Sequence, residues 1–216
     1  VAAQQKSSKE KILLITIIGF LSGMAPDLDV FIRSSHDPLL AIEFHRQFTH
    51  SLIFIPFGGF ICGTFFYHVL TKRRGMSIKE TYLYCTLAYA SHGILDACTS
   101  YGTQLFWPFN DFRVAWNTIS IVDPIFTITL FTLVFLSIFR RKTIFAKIAL
   151  IWVITYMSIG LIQHNRAEKV GLLNADSRGH IPARIVVKPS LANLLVWKVI
   201  YAVSYTHLRA HETSNH

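Results

Sequence analysis

Three short polar clusters interrupt an otherwise apolar chain: Pro26-Asp27-Leu28-Asp29, His45-Arg46-Gln47-Phe48-Thr49-His50-Ser51 and Ser91-His92-Gly93-Ile94-Leu95-Asp96. Each sets His or Asp beside a hydrophobic run long enough to enter a membrane. Ionisable groups are costly in such surroundings and usually have a task there. Imidazole and carboxylate are the side chains that bind hard or borderline metal ions. The pattern points to a metal site at the edge of a bilayer.

His92 and Asp96 are four apart, so a helix sets them on one face, one turn apart. Such a pair chelates one ion, or the Asp orients the His; a buried hydrogen-bonded pair that joins helices is the plainer alternative. Asp27 and Asp29 flank Leu28 after Pro26, which ends the preceding helix. Two neighbouring carboxylates repel unless a cation neutralises them; the alternative is a turn in which Asp29 caps the next segment. His45 and His50 are five apart, which suits a loop better than one helix for reaching a common ion. Arg46 has a planar fork that matches phosphate or carboxylate, or else anchors the interface, and Thr49 or Ser51 could cap the following span. Thr99, Ser100 and Tyr101 offer hydroxyls to a substrate, and Gly102 permits a sharp turn. Arg113 and Asp123 lie near the membrane boundary, where a structural pair or anchor is the commoner role. His36, His68, His164 and His180 lack supporting neighbours and read as structural or surface residues. No Gly-rich phosphate loop, GxSxG or HExxH occurs.

The elements that must position these groups are apolar helices. The 216 residues are 52% hydrophobic and only 15% charged, against about 25% in soluble domains. Mean hydropathy is +0.41. Five apolar segments are expected as helices, at 12–25, 51–70, 81–95, 119–139 and 144–163. The fold class is therefore all-α, a polytopic helical membrane bundle. Residues 26–50 and 97–118 read as polar connections, the latter with an aromatic belt at Phe106, Trp107, Pro108 and Phe109. The net charge of +9 does not indicate nucleic acid, because the basic residues sit in short loops. Those loops are the N-terminus, 71–80 and 140–147, and all three fall on one side in a five-span arrangement, which should be cytoplasmic. The three clusters then face outward. Cys62, Cys85 and Cys98 form neither a disulfide framework nor a CxxC zinc motif.

The chain divides into a basic N-terminal stretch 1–11, a membrane-embedded unit 12–163, a partial extracytoplasmic part 164–202 and a tail 203–216. The 164–202 stretch contains Ile185-Val186-Val187 and Leu194 to Val199, which suit the start of a small soluble domain. Residues 203–213 resemble a translated transposase-type sequencing adapter, so the natural sequence is expected to stop near Ala202. His207, His211 and His216 are set aside on that ground. Val1 stands where a Met would begin a complete chain, which suggests a clipped N-terminus.

The ordered set Pro26-Asp27-Leu28-Asp29, His45-Arg46-x-x-Thr49-His50-Ser51, Ser91-His92-x-x-x-Asp96-x-x-Thr99-x-x-Gly102, Pro108-Phe109, Arg113 and Asp123-Pro124 resembles the YdjM-like bacterial inner-membrane proteins. These are described as LexA-regulated or LexA-binding metal-dependent hydrolases. The match spans roughly residues 10–165. The resemblance implies a multi-pass inner-membrane protein and a metal-dependent hydrolase, with the link to LexA carried by the family description alone. Two departures stand out. A short Asp-x-x-Thr-His/Gln stretch usual before the first helix is absent, and Gln47 replaces a frequent Gly. Ile185 to Trp197 is similar to the start of the family's extracytoplasmic C-terminal part.

The expectation is therefore a membrane-bound hydrolase with Asp27, Asp29, His45, His50, His92 and Asp96 as metal ligands and orienting groups. Asp27, Asp29, His92 and Asp96 are its catalytic candidates. Six ligating groups exceed what one tetrahedral zinc needs, so one or two divalent ions are expected, zinc first, with a metal-activated water as nucleophile. Arg46, Thr49, Thr99, Tyr101 and Arg113 would hold the substrate. A site at the outer lipid interface suggests a lipid, lipid-linked or envelope substrate, such as a phosphoester. The rival expectation is a non-enzymatic membrane protein with a structural metal site or an ion or proton path.

Overall fold

The computed structural model describes residues 9–32, 36–37 and 40–203. Residues 1–8 of the basic N-terminal stretch and 204–216 of the adapter-like tail lie outside the described residues. All five expected apolar segments are helical: α1 (Lys9–Met24), α3 (Ile55–Phe66), α4 (Ile78–Ala97), α5 (Pro124–Arg140) and α6 (Thr143–Asp176). A short α2 (Leu40–Phe44) lies in the first polar connection. A two-stranded antiparallel hairpin, β1 (Pro182–Pro189) and β2 (Trp197–Val203), follows α6.

Several boundaries differ from the sequence expectation. The first polar connection begins as a 3-10 helix, Ala25–Phe31, which extends α1. Helix and extension together make an apolar stretch from Glu10 to Phe31, 22 residues long, so the first span is not short. The α5 helix starts at Pro124 rather than 119. Proline suits a first helical turn, and Asp123 caps it by accepting from Phe126 N at 3.1 Å. The fifth helix runs 13 residues past 163, to Asp176. Hydropathy falls there, but Ala167, Glu168 and Lys169 are good helix formers, and the helix stops only before Ser177 and the left-handed Gly179. At 34 residues α6 is about 51 Å long, well beyond a hydrocarbon core of about 30 Å.

Among the described residues, three helices are long and apolar enough to cross a membrane: Glu10–Phe31, Leu52–Arg74 and Thr143–Asp176. At 17 residues α5 is shorter, and α4 carries Lys79, Glu80, His92 and Asp96. Large apolar side chains such as Phe60, Phe131, Phe139 and Ile151 remain exposed on the helices. That is the pattern of a bundle whose outer solvent is lipid.

The core joins α1, α3 and α4 through Leu14, Ile15, Ile18, Cys62, Phe66, Cys85 and Tyr89. Close approach of α3 to α4 depends on absent side chains: a Cβ at Gly63 would sit 3.0 Å from Tyr82 Cα, and one at Gly59 would meet Thr86. Small residues at such spacing let helix backbones pack tightly in membranes. At the basic end, Lys11 bonds Glu80 at 2.7 Å, and Ser77 and Glu80 form a reciprocal cap on α4. Lys72, Arg73 and Arg74 lie at this same end, and the polar clusters lie at the other ends of α1, α3 and α4.

Asp123 is 3% exposed and also accepts from Tyr156 Oη at 2.7 Å, which ties α5 to α6. Replacing it leaves a helix end uncapped and a buried phenol without its acceptor. We expect Asp123→Ala to cost about 2–4 kcal/mol. Thermal unfolding should show the loss, with metal content of the folded fraction unchanged.

Candidate metal centre

Pro26 begins a 3-10 turn at the end of α1. In that geometry residues two apart point about 120° away from each other. Asp27 and Asp29 therefore meet different ring nitrogens of His50, Asp27 Oδ1 near Nε2 and Asp29 Oδ2 near Nδ1. Asp29 is buried at 3% exposure and lies within bonding distance of four groups. Its Oδ1 meets His45 Nδ1 at 2.7 Å. Its Oδ2 accepts from Thr49 Oγ1 at 2.7 Å and from Arg46 N at 3.1 Å, and lies 3.3 Å from His50 Nδ1. Asp29 is a fully engaged orienting carboxylate and caps no helix.

His50 is 2% exposed and stands at the centre. Its Nδ1 lies 2.9 Å from Thr49 Oγ1. Because the Thr49 hydroxyl donates to Asp29, its oxygen accepts from His50 Nδ1–H. This relay fixes the tautomer that leaves Nε2 free to ligate. The loop itself is braced from several sides. Tyr89 Oη donates to Thr49 O at 2.7 Å, Gln104 N to Arg46 O at 2.9 Å and Leu52 N to Leu105 O at 2.9 Å. Gly93 lies against the loop so closely that a Cβ would fall 2.6 Å from His50 O.

On α4, His92 and Asp96 share a face as their spacing requires. Four ligand atoms then converge. His50 Nε2 lies 3.4 Å from Asp27 Oδ1 and 3.3 Å from Asp96 Oδ2. His92 Nε2 lies 3.3 Å from Asp27 Oδ1 and 3.6 Å from Asp96 Oδ2. The edge of a tetrahedron with metal bonds of about 2.0–2.1 Å is about 3.3–3.4 Å. His50 Nε2, His92 Nε2 and Asp96 Oδ2 are buried without a hydrogen-bond partner. Orphaned buried polar atoms are rare and call for a reason. Gathered with Asp27 Oδ1 within 4.8 Å of one another, and with neighbouring ligand atoms at 3.3–3.6 Å, they fit a bound cation. A second set, Asp27, Asp29 and His45, also lies close enough together to hold an ion, but the contacts already made by Asp29 favour an orienting role.

Charge argues the same way. With His50 neutral, as ligation requires, Asp27, Asp29 and Asp96 carry three negative charges against one positive on Arg46, leaving two negative charges for a divalent cation to neutralise. Burial works against protonation of His50, yet without a cation the neighbouring carboxylates of Asp27, Asp29 and Asp96 outweigh it and lift its pKa to about 10. A cation at the convergence point therefore displaces a proton from His50.

The substrate-binding candidates divide. Arg46 sits at the site in a left-handed backbone, φ 62°. Its Nε lies 3.0 Å from Asp96 Oδ2, its Nη1 donates to Thr99 Oγ1 at 3.2 Å, and its guanidinium covers the Tyr101 ring at 5.1 Å. Thr99 in turn donates to Asp96 O at 2.7 Å, and Thr49 serves the relay. Arg113 reaches no ligand atom; it donates to the carbonyls of His45 and Glu43 and holds the loop in place. Ser51 makes no side-chain cap on the second span and donates to Phe48 O instead. Gln47 has φ −97° and ψ −113°, so the Gly frequent at this position is not replaced at a left-handed residue. His68 bonds Thr64 O, His180 bonds Tyr201 Oη, and His164 packs on Trp197, all away from the centre. The sequence reading assigned no part to Tyr89 or to the contact at Gly93. Their helical spacing from His92 was the one available signal: Tyr89 precedes it by three residues on the same face of α4.

Residues 1–167 match the YdjM inner membrane protein family. The chain belongs to that family. A curated relative is inner membrane protein YbcI of Escherichia coli (strain K12), 25% identical over 154 residues, covering 68% of this chain and 82% of the relative. No solved structure matches the chain. The YdjM match contains all three clusters and ends within α6.

If the relay sets His50, breaking it should weaken metal binding without unfolding the protein. Thr49→Val is expected to lower zinc affinity about 10–100-fold. Competition with a chromophoric chelator measures this; wild-type affinity in that variant would remove Thr49 from the site.

Proposed function

We propose that this protein is a membrane-bound metal-dependent hydrolase whose ion is held by Asp27, His50, His92 and Asp96. The observation that carries the reading is the gathering of orphaned, buried Nε2 and Oδ2 atoms at the separations of ligands around one ion. Two imidazoles and two carboxylates suit zinc first, and also manganese or iron. One ion meets the geometry of the four groups; Asp29 and His45 then orient. When bound, the ion would supply Lewis-acid polarisation and a water ionised near neutral pH.

The chain's own residues account for the rest. Asp27 is the most exposed of the four, with its side chain at 44%. It faces incoming water, and with the imidazoles of His50 and His92 beside it the carboxylate stays an ionised ligand. His50, by contrast, is locked by Thr49 and Asp29 and can only hold its position. Arg46 leaves Nη2 unshared among the described residues and so can receive an anionic group beside Asp96. Thr99 fixes the guanidinium, and Tyr101 shields one of its faces from water. The basic loops lie at the opposite helix ends, so the positive-inside rule turns the site toward the periplasm. A lipid, lipid-linked or envelope ester follows as the substrate class.

One feature favours a structural ion as the second reading: four protein groups are already at hand to ligate it, whereas catalytic zinc usually has three and keeps a position open. A structural ion would stay bound and stabilise the fold without turnover. Elemental analysis and hydrolysis of bis-p-nitrophenyl phosphate by the purified full chain separate the two. The hydrolase reading expects bound zinc, manganese or iron, and expects His92→Ala to lose both metal and turnover. Metal-free wild-type protein, or equal turnover in His92→Ala, would contradict it.

A further inference from the structure

A hollow of about 460 Å³ lies beside the Arg46–Tyr101 contact and is walled by Ser100, Tyr101, Ser120, Lys188 and Lys198 together with apolar side chains such as Leu191. Tyr101 belongs to both places: its ring carries Arg46, whose Nε meets Asp96. The lysines come from the hairpin. In the β1–β2 register Lys188 stands directly opposite Lys198. Val187 is buried, and Val199 and Ile185 pack against Gly171 of α6. The alternate residues Lys188 and Lys198 therefore share the other face. Like charges directly opposite in a sheet repel. Among the described residues neither lysine has a carboxylate partner, and no acid lines the cavity. Ser120 is buried at 6% exposure and accepts from Ala192 N at 3.1 Å, which leaves its O–H free to donate.

Two lysines without carboxylate partners, side by side on one face of the hairpin and lining a hollow that also presents hydroxyls, make a site for an oxyanion. We propose that this pocket binds a phosphate-type group, and that it holds the charged end of the substrate whose ester bond reaches the metal centre. The second half of that statement rests on the hydrolase reading; the first does not. The anion relieves the repulsion between Lys188 and Lys198, and the hydroxyls of Ser100, Tyr101 and Ser120 complete its shell. The phosphate comes either from a lipid headgroup or from a soluble compound.

The test uses the full chain in detergent after chelation, so that an added anion has no ion to ligate at the metal centre. Inorganic pyrophosphate binding is measured by calorimetry, and retention of phosphatidylglycerol over phosphatidylcholine by native mass spectrometry. Wild-type protein is expected to take at least one of the two: pyrophosphate indicates a soluble source, phosphatidylglycerol a headgroup. The double variant Lys188→Ser with Lys198→Ser is expected to lose at least tenfold in affinity or retention. Lys198→Glu replaces repulsion with attraction across the hairpin, so it should lose the anion while its melting temperature rises, which excludes misfolding as the cause. Wild-type protein with no affinity for either probe, or variants that bind as wild type does, would overturn the proposal. Metal content measured before chelation separates the two readings. Absence of zinc, manganese and iron with lysine-dependent anion binding refutes the hydrolase and spares the pocket; a bound metal with lysine-independent binding refutes the pocket alone.

Discussion

The buried carboxylate of Asp29 is the contact on which the site depends. An isolated charge at that depth would cost several kcal/mol, so the chain brings donors to it. Three of them, Arg46 N, Thr49 Oγ1 and His45 Nδ1, come from a single loop, and His50 is set through Thr49. The result pins the entrance of the second span to the end of the first. Asp27, one turn away, then has no choice but to face the point at which His50, His92 and Asp96 aim.

The bundle serves this arrangement in two ways. Glycines on α3 let α4 approach closely, and Tyr89 and Gly93 carry that closeness to the loop, one through a hydrogen bond and the other through an absent side chain. Lipid-facing helices contribute little to the centre directly. The α5–α6 pair packs through Phe126, Tyr156 and Trp152, and α6 then leaves the apolar layer to support the hairpin. Arg46 and Tyr101 consequently link the candidate metal ligands to the hollow walled by the hairpin lysines.

Much of this was legible in the residues. Asp27, His50, His92 and Asp96 stood out because polar groups in apolar runs need partners, and the i, i+4 spacing of His92 and Asp96 survives in α4 unchanged. The division of labour between Asp27 and Asp29 was not legible, because it follows from a 3-10 turn where an extended backbone was equally compatible with Pro26. The role of Arg113 was hidden for a similar reason: a guanidinium near a site suggests a ligand, but its partners here are carbonyls fixed by a distant loop. The length of α6 escaped because hydropathy reports the membrane and not the helix. The hairpin was foreshadowed by Ile185-Val186-Val187 and Leu194 to Val199, though nothing local in those residues sets Lys188 against Lys198.

The central claim is that four side chains from three separate clusters hold one ion with nitrogen and oxygen ligands alone. X-ray absorption at the metal edge of zinc-loaded, full-chain protein tests it most directly. The account predicts four nitrogen or oxygen neighbours at about 2.0–2.1 Å, with the outer-shell scattering of two imidazoles. Sulfur at about 2.3 Å, or a shell of oxygens with no imidazole signature, would contradict it.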